Sequence, residues 1–209
     1  MSGRSDRADV VIIDTGGANL GSVRYALERL ETRVRVSRDA DEIRSASHVI
    51  MPGVGAAAWA MNHLHESGLV DLIGTLKQPV LGICLGLQLM FESSAEGDVA
   101  CLGLMSGRVK ALPGGPGLRL PHMGWNQLVW QHDDPLARGF DGSEWFYFVH
   151  GYAAPAASAV AISQHGQPFA AIVRRDNFVA CQFHPEKSAG AGRRLLENFL
   201  QTEPTRSTA

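Results

Sequence analysis

Residues 79–88 read Pro79-Val80-Leu81-Gly82-Ile83-Cys84-Leu85-Gly86-Leu87-Gln88: an apolar run with a cysteine set between two glycines. Val80 to Ile83 has the continuous apolar character of a strand buried on both faces, and the residues after Cys84 suit a helix. A strand turning sharply into a helix projects the residue at its apex outward, while small neighbours let other backbone pass close by. That is the form of a nucleophile elbow, with Cys in place of Ser. Free N–H groups at the helix start favour a thiolate, the reactive form of the side chain. The competing reading is a buried core cysteine beside packing glycines.

Outward from this stretch the same unit recurs. Val10 to Ile13 are all β-branched and end at Asp14-Thr15-Gly16-Gly17, a strand feeding a glycine turn. Asn19 to Leu30 places Leu20, Val23, Leu27 and Leu30 on one helical face. A strand at Val34 to Ser37, a helix from Asp39 to Ser45, a strand at His48 to Met51 and one helix within Ala56 to Leu76 follow. Beyond the polar stretch Ser93 to Asp98 the alternation stops. Short strands are expected at Gly103 to Leu112, Gln127 to Gln131, Trp145 to Tyr152, Ala159 to Gln164, Phe169 to Arg174 and Phe178 to Phe183. His165-Gly166 and Asp176-Asn177 turn hairpins between them, and a helix over Gly190 to Leu200 closes the chain. The expected fold is α/β: a mostly parallel central sheet with flanking helices plus a C-terminal, antiparallel, strand-rich part. Residues 10–201 are expected to form a single domain, with 1–9 a loose leader and 202–209 a tail.

The composition narrows the function classes. The chain has 209 residues, a formal net charge of −2 and no long run of Lys or Arg, which argues against a nucleic-acid partner. Residues 1–9 mix charges of both signs and do not read as a signal peptide. The longest apolar stretch, Val80 to Phe91, is too short to cross a bilayer, so a soluble protein without a membrane role is expected. Three cysteines make neither a disulfide framework nor a CxxC metal site. A reducing, cytoplasmic setting follows, in which a cysteine with a role acts as a thiol.

A nucleophilic thiol needs a base that can later protonate the leaving group. Phe183-His184-Pro185-Glu186 supplies an imidazole at a strand end, with a carboxylate two residues on that can fix its tautomer. A surface-loop histidine is the bland alternative. An oxyanion would need N–H donors; Leu85, just after the elbow, is one. The loop Met51-Pro52-Gly53-Val54-Gly55 offers the other at Val54, because glycine on either side lets the Gly53–Val54 peptide turn its N–H toward or away from the site.

These residues resemble the class I, triad-type glutamine amidotransferases, where G-x-C-x-G-x-Q carries the nucleophile and a late Q-F-H-P-E carries histidine and glutamate. Gly82 to Gln88 and Gln182 to Glu186 match both motifs in full. Asp14 to Leu20, Pro52 to Gly55, Pro121-His122-Met123-Gly124-Trp125-Asn126, Tyr147 to Tyr152 and Glu186-Lys187-Ser188 are similar to one branch, the glutaminase subunits of imidazole glycerol phosphate synthase in histidine biosynthesis. The resemblance runs from about Val10 to Leu200. It implies Cys84 as nucleophile, His184 as general base and acid, and Glu186 as the orienting carboxylate. It also implies that Gln88, with the backbone near Gly53 and at His150, Gly151 and Tyr152, holds the α-amino and carboxylate groups of glutamine. It implies no metal or organic cofactor, and a (β/α)8-barrel cyclase subunit as the heterodimer partner that consumes the ammonia. That subunit is expected to dock on the face carrying Asn19, Met123, Trp125, Tyr147 and Lys187; a core Trp125 is the alternative. Two positions depart from the pattern: Gly151 replaces the usual Ser or Thr, and Ala189 a frequent Gly.

Other readings remain at this point. An amidotransferase subunit of the anthranilate or aminodeoxychorismate type shares the motifs but not the Pro121 to Asn126 segment. A stand-alone cysteine hydrolase explains Cys84 and His184 but leaves Gln88 without a role. A non-catalytic binding module leaves all three triad residue types unexplained.

Overall fold

In the computed structural model, residues 8–16 and 20–203 are described. The first half alternates β1 (Asp9–Ile13), α1 (Leu20–Glu28), β2 (Arg33–Ser37), α2 (Ala40–Ser45), β3 (His48–Gly53), α3 (Ala57–Glu66), α4 (Leu69–Thr75), β4 (Val80–Cys84) and α5 (Leu85–Leu89). The second half holds β5 (Phe91–Ser94), β6 (Val99–Ala100), β7 (Met105–Ala111), β8 (His122–Gln127), β9 (Val129–Trp130), β10 (Trp145–His150), β11 (Tyr152–Ala153), β12 (Ala161–His165), β13 (Gln167–Arg175), β14 (Phe178–Cys181) and α6 (Ala189–Leu200).

One eight-stranded sheet in the order β2-β1-β3-β4-β14-β13-β12-β9 organises the chain. Its strands are parallel from β2 through β14 and antiparallel from β13 outward. Side chains alternate across β1, so Val11 and Ile13 enter the core on one face while Val10 and Ile12 enter the core on the other. That two-sided burial is why the strand reads as an unbroken apolar run. Helix α2 starts where Asp39 accepts hydrogen bonds from the N–H groups of Asp41 and Glu42, both at 2.9 Å, a side-chain N-cap. Two smaller sheets, β10-β8 and β11-β7-β5-β6, sit beside the main one.

Five local expectations need correction. The single helix within Ala56 to Leu76 is two helices, broken at Gly68, whose φ of +66° is left-handed. The polar stretch Ser93 to Asp98 includes part of β5 and turns into β6. The expected strand Gln127 to Gln131 is divided, and the strand proper, β8, lies upstream at His122–Gln127. Gly53 belongs to β3, paired with Cys84, instead of standing in a free loop. Asp9, assigned to the leader, begins β1.

At Ala189 the departure from glycine has a conformational cost. Its φ is +48°, a region where a Cβ costs about 1–2 kcal/mol, partly offset because alanine has the stiffer unfolded chain. Ala189→Gly is expected to raise the thermal midpoint by roughly 2 °C, read by a calorimetric melt; an unchanged or lower midpoint contradicts the strain.

Candidate active site

The site is built where two parallel neighbours end side by side. In β4 and β14, Ile83 is level with Cys181, so the residues that follow, Cys84 on one strand and Gln182-Phe183-His184 on the other, emerge at the same sheet edge. The two motifs lie about a hundred residues apart in sequence, and this strand pairing alone unites them.

Cys84 has φ +54° and ψ −106°, a strained non-glycine backbone of the kind held at nucleophile elbows. The glycines around it are required by close approach. A Cβ on Gly82 would lie 2.9 Å from the Ala180 Cβ, and one on Gly86 only 1.9 Å from the Met51 carbonyl oxygen. A Cβ on Gly53 would lie 2.8 Å from the Leu85 Cβ, so packing demands glycine there. The positive φ and open surroundings belong to Gly55, at +95°.

His184 Nδ1 meets Glu186 Oε1 at 2.8 Å, with the carboxylate side chain fully buried. The backbone is pinned as well: His184 N–H donates to the Tyr147 carbonyl at 2.8 Å, and the Ser188 hydroxyl donates to the His184 carbonyl at 2.7 Å. Burial works against the charged imidazole, but hydrogen bonds to the Cys84 sulfur and to Glu186 outweigh it and push His184 up to about 10. An imidazolium poised beside sulfur is the form that protonates a leaving amine. Burial pushes the Cys101 thiol up to about 11, and Cys181, fully enclosed, well above its ordinary value.

A cavity of about 450 Å³ opens over the sulfur, within the range that holds small ligands. Of the residues expected to act, Val54, Cys84, Leu85, Gln88, His150, Gly151, Tyr152, His184 and Lys187 line it. Gly53 lies on an adjoining cleft with Val54, His184 and Glu186. The Gln88 amide is already engaged, donating to the Tyr152 carbonyl at 2.9 Å and to Gln182 Oε1 at 3.1 Å. The His150 ring is also committed, its Nδ1 2.8 Å from the Tyr152 carbonyl and its Nε2 3.0 Å from His122 Nδ1. Burial holds His150 down at about 3, so it stays neutral where His184 is charged. Nothing lies within 4 Å of a Cβ built on Gly151, so a larger residue fits there and its absence leaves the backbone donors in place.

Sequence reasoning missed two members. Glu96 lines the cavity, its carboxylate accepting the Ala57 N–H at 2.9 Å; the segment's polarity was its only signal. Gln182, fully buried, directs its Nε2 to the Cys84 sulfur at 3.7 Å.

Beside the cavity, Met123 and Trp125 are 64% and 49% exposed, which excludes a core position for Trp125. Trp125 and Tyr147 are cross-strand partners with ring centroids 5.8 Å apart, and Lys187 Nζ stands 5.9 Å from the centre of the Tyr147 ring. Asn19 lies outside the described residues. Among the described residues no helix is long and apolar enough to cross a membrane.

The family Glutamine amidotransferase class-I matches residues 11–202. The chain is 54% identical over 194 residues to the imidazole glycerol phosphate synthase subunit HisH of Xanthomonas axonopodis pv. citri (strain 306), covering 92% of this chain and 97% of that one. It is 50% identical over 196 residues to the subunit of the same name from Xylella fastidiosa (strain Temecula1 / ATCC 700964), covering 93% and 98%. A solved glutamine amidotransferase from Thermotoga maritima has the same fold, with a TM-score of 0.62 at 17% identity, covering 94% of this chain and 99% of that one.

Proposed function

The chain belongs to the glutamine amidotransferase class-I family, and from that membership we propose that its cavity hydrolyses glutamine to glutamate and ammonia at Cys84. The observation that carries this reading is the pairing of β4 with β14, which brings Cys84 and His184 to the wall of one cavity, with Glu186 buried behind the imidazole. The sulfur attacks the side-chain amide carbon, and the oxyanion is received by the N–H groups of Val54 and Leu85. His184 gives its proton to the amine, the C–N bond breaks, ammonia leaves and a thioester remains. Water then attacks the thioester with His184 as base, releasing glutamate and restoring the thiol. Glu186 holds the imidazole throughout. Glu96 is the acidic group on the cavity wall and suits an α-ammonium; backbone N–H groups at Gly151 and Tyr152 suit the α-carboxylate.

The ammonia serves imidazole glycerol phosphate formation in histidine biosynthesis, in the reducing cytoplasm, and passes to a barrel cyclase subunit. The identity to HisH subunits across 97–98% of their length supports that assignment over the anthranilate type. Measuring glutamate release with and without the cyclase and its nucleotide substrate tests it: turnover should rise in the complex. A chain already as fast alone overturns the coupling. The Gly53–Val54 peptide provides a switch for it, since an absent oxyanion donor lowers the rate by about 10²- to 10³-fold.

The exposed face around Trp125 has the composition of an interface centre. Trp125→Ala is expected to weaken cyclase binding by roughly 30-fold, on the order of 2 kcal/mol, measured by titration calorimetry, with the melting temperature of the isolated chain nearly unchanged. Unaltered affinity removes Trp125 from the interface.

A further inference from the structure

We propose that Gln182 is a positioning residue for the nucleophile: its buried side-chain amide aims an N–H at the Cys84 sulfur, and a chain of amides ending at the Tyr152 carbonyl fixes which way that amide faces. The inference rests on Cys84 being the nucleophile.

The orientation follows from hydrogen-bond chemistry. A carbonyl oxygen can only accept, and the Tyr152 carbonyl has Gln88 Nε2 at 2.9 Å, so Gln88 presents its NH₂ group at that end. The second hydrogen of the same NH₂ goes to Gln182, 3.1 Å away, which must therefore present its oxygen. That leaves the Gln182 NH₂ facing Cys84, with Nε2 3.7 Å from the sulfur. Reversing Gln182 would set two NH₂ groups against each other and turn a carbonyl oxygen toward the sulfur. Gln182 is 0% exposed, so water does not compete for its amide. The Tyr152 carbonyl is itself held by the His150 ring at 2.8 Å. An N–H aimed at sulfur stabilises the thiolate over the thiol. It also fixes the direction of a side chain whose backbone is already strained.

The relay starts at a residue of the substrate cavity and ends at the reacting atom. Tyr152 and Gln88 line the cavity, whereas Gln182 stands behind Cys84. Gln88 thereby acts on the sulfur without touching it.

The test reads the thiolate directly. The full chain is alkylated with iodoacetamide across a pH series, and the Cys84 adduct is followed by mass spectrometry. The other titratable groups near the sulfur, His184, Glu186 and Cys181 with Glu96, His150 and Lys187 on the cavity wall, are unchanged in every variant. Gln182→Met, similar in length but without a donor, is expected to move the alkylation midpoint up by about one pH unit. It should lower kcat for glutamine by roughly 10-fold and leave KM near its original value. Gln88→Met should move the midpoint in the same direction by less. If Gln182→Met does not fold, the isosteric Gln182→Glu is read in the same way, with a larger upward move. An unmoved midpoint in a folded Gln182 variant overturns the proposal, even if the melting temperature falls, because a purely structural glutamine would alter stability alone. Failure of the underlying reading looks different: glutamine hydrolysis would then survive Cys84→Ser.

Discussion

Cys84→Ser is expected to lose glutamine hydrolysis by at least ~10³-fold, while the chain folds and binds its partner as before. Removing a nucleophile that works as a unit with its base abolishes most of the catalysed rate, and a serine hydroxyl is far harder to ionise than a thiol. His184 and Glu186 would still form their 2.8 Å pair, so the loss comes from the attacking atom. The substitution exchanges one small side chain for another at a buried apex, and a melt should show little change. Glutamate release by the purified variant decides the matter. Rates within a few-fold of the original would exclude Cys84 from the mechanism.

The second large effect concerns folding. Gly86→Ala puts a Cβ 1.9 Å from the Met51 carbonyl oxygen, a backbone atom of β3 that cannot move without separating β3 from β4. Overpacking against fixed backbone costs about 3 kcal/mol or more, which in a chain of this size lowers the thermal midpoint by roughly 6–12 °C. Displacing β3 would also shift Gly53 and Val54, so activity should fall further than stability predicts. A thermal melt of Gly86→Ala checks this; an unchanged midpoint would mean that the approach of Met51 is not as close as described.

Much of the fold was legible in the sequence because its parallel strands are buried on both faces and so appear as apolar runs, as in Val10–Ile13 and Val80–Ile83. Strand β8 was not legible, for a specific reason. On that strand His122 points inward and is buried, while Met123 and Trp125 point outward. The apolar residues sit on the solvent side, so the usual alternation is inverted and the segment resembles a polar loop. The break between α3 and α4 rests on a single left-handed residue, Gly68, which a helical periodicity passes over.

At the site, Cys84, His184 and Glu186 were legible because each sits in a local motif whose chemistry is visible in a few residues. Glu96 and Gln182 were not. Glu96 reaches the cavity from the tight turn between β5 and β6, which composition conceals, and Gln182 matters through its contact with residues 94 and 98 positions away in sequence. Gly53 was read only as a hinge; its contact with Leu85 adds a packing requirement that only the pairing of β3 with β4 reveals.

The central claim, that glutamine is hydrolysed at Cys84, is tested most directly by trapping. The chain is incubated with a chloroketone analogue of glutamine, digested, and mapped by mass spectrometry. The account predicts one adduct, on Cys84, formed more slowly when glutamine is present and absent from Cys84→Ser. Cys101 and Cys181 should stay unmodified, since burial keeps both protonated. Labelling that spares Cys84 while the chain still turns over glutamine, or that glutamine does not slow, would contradict it.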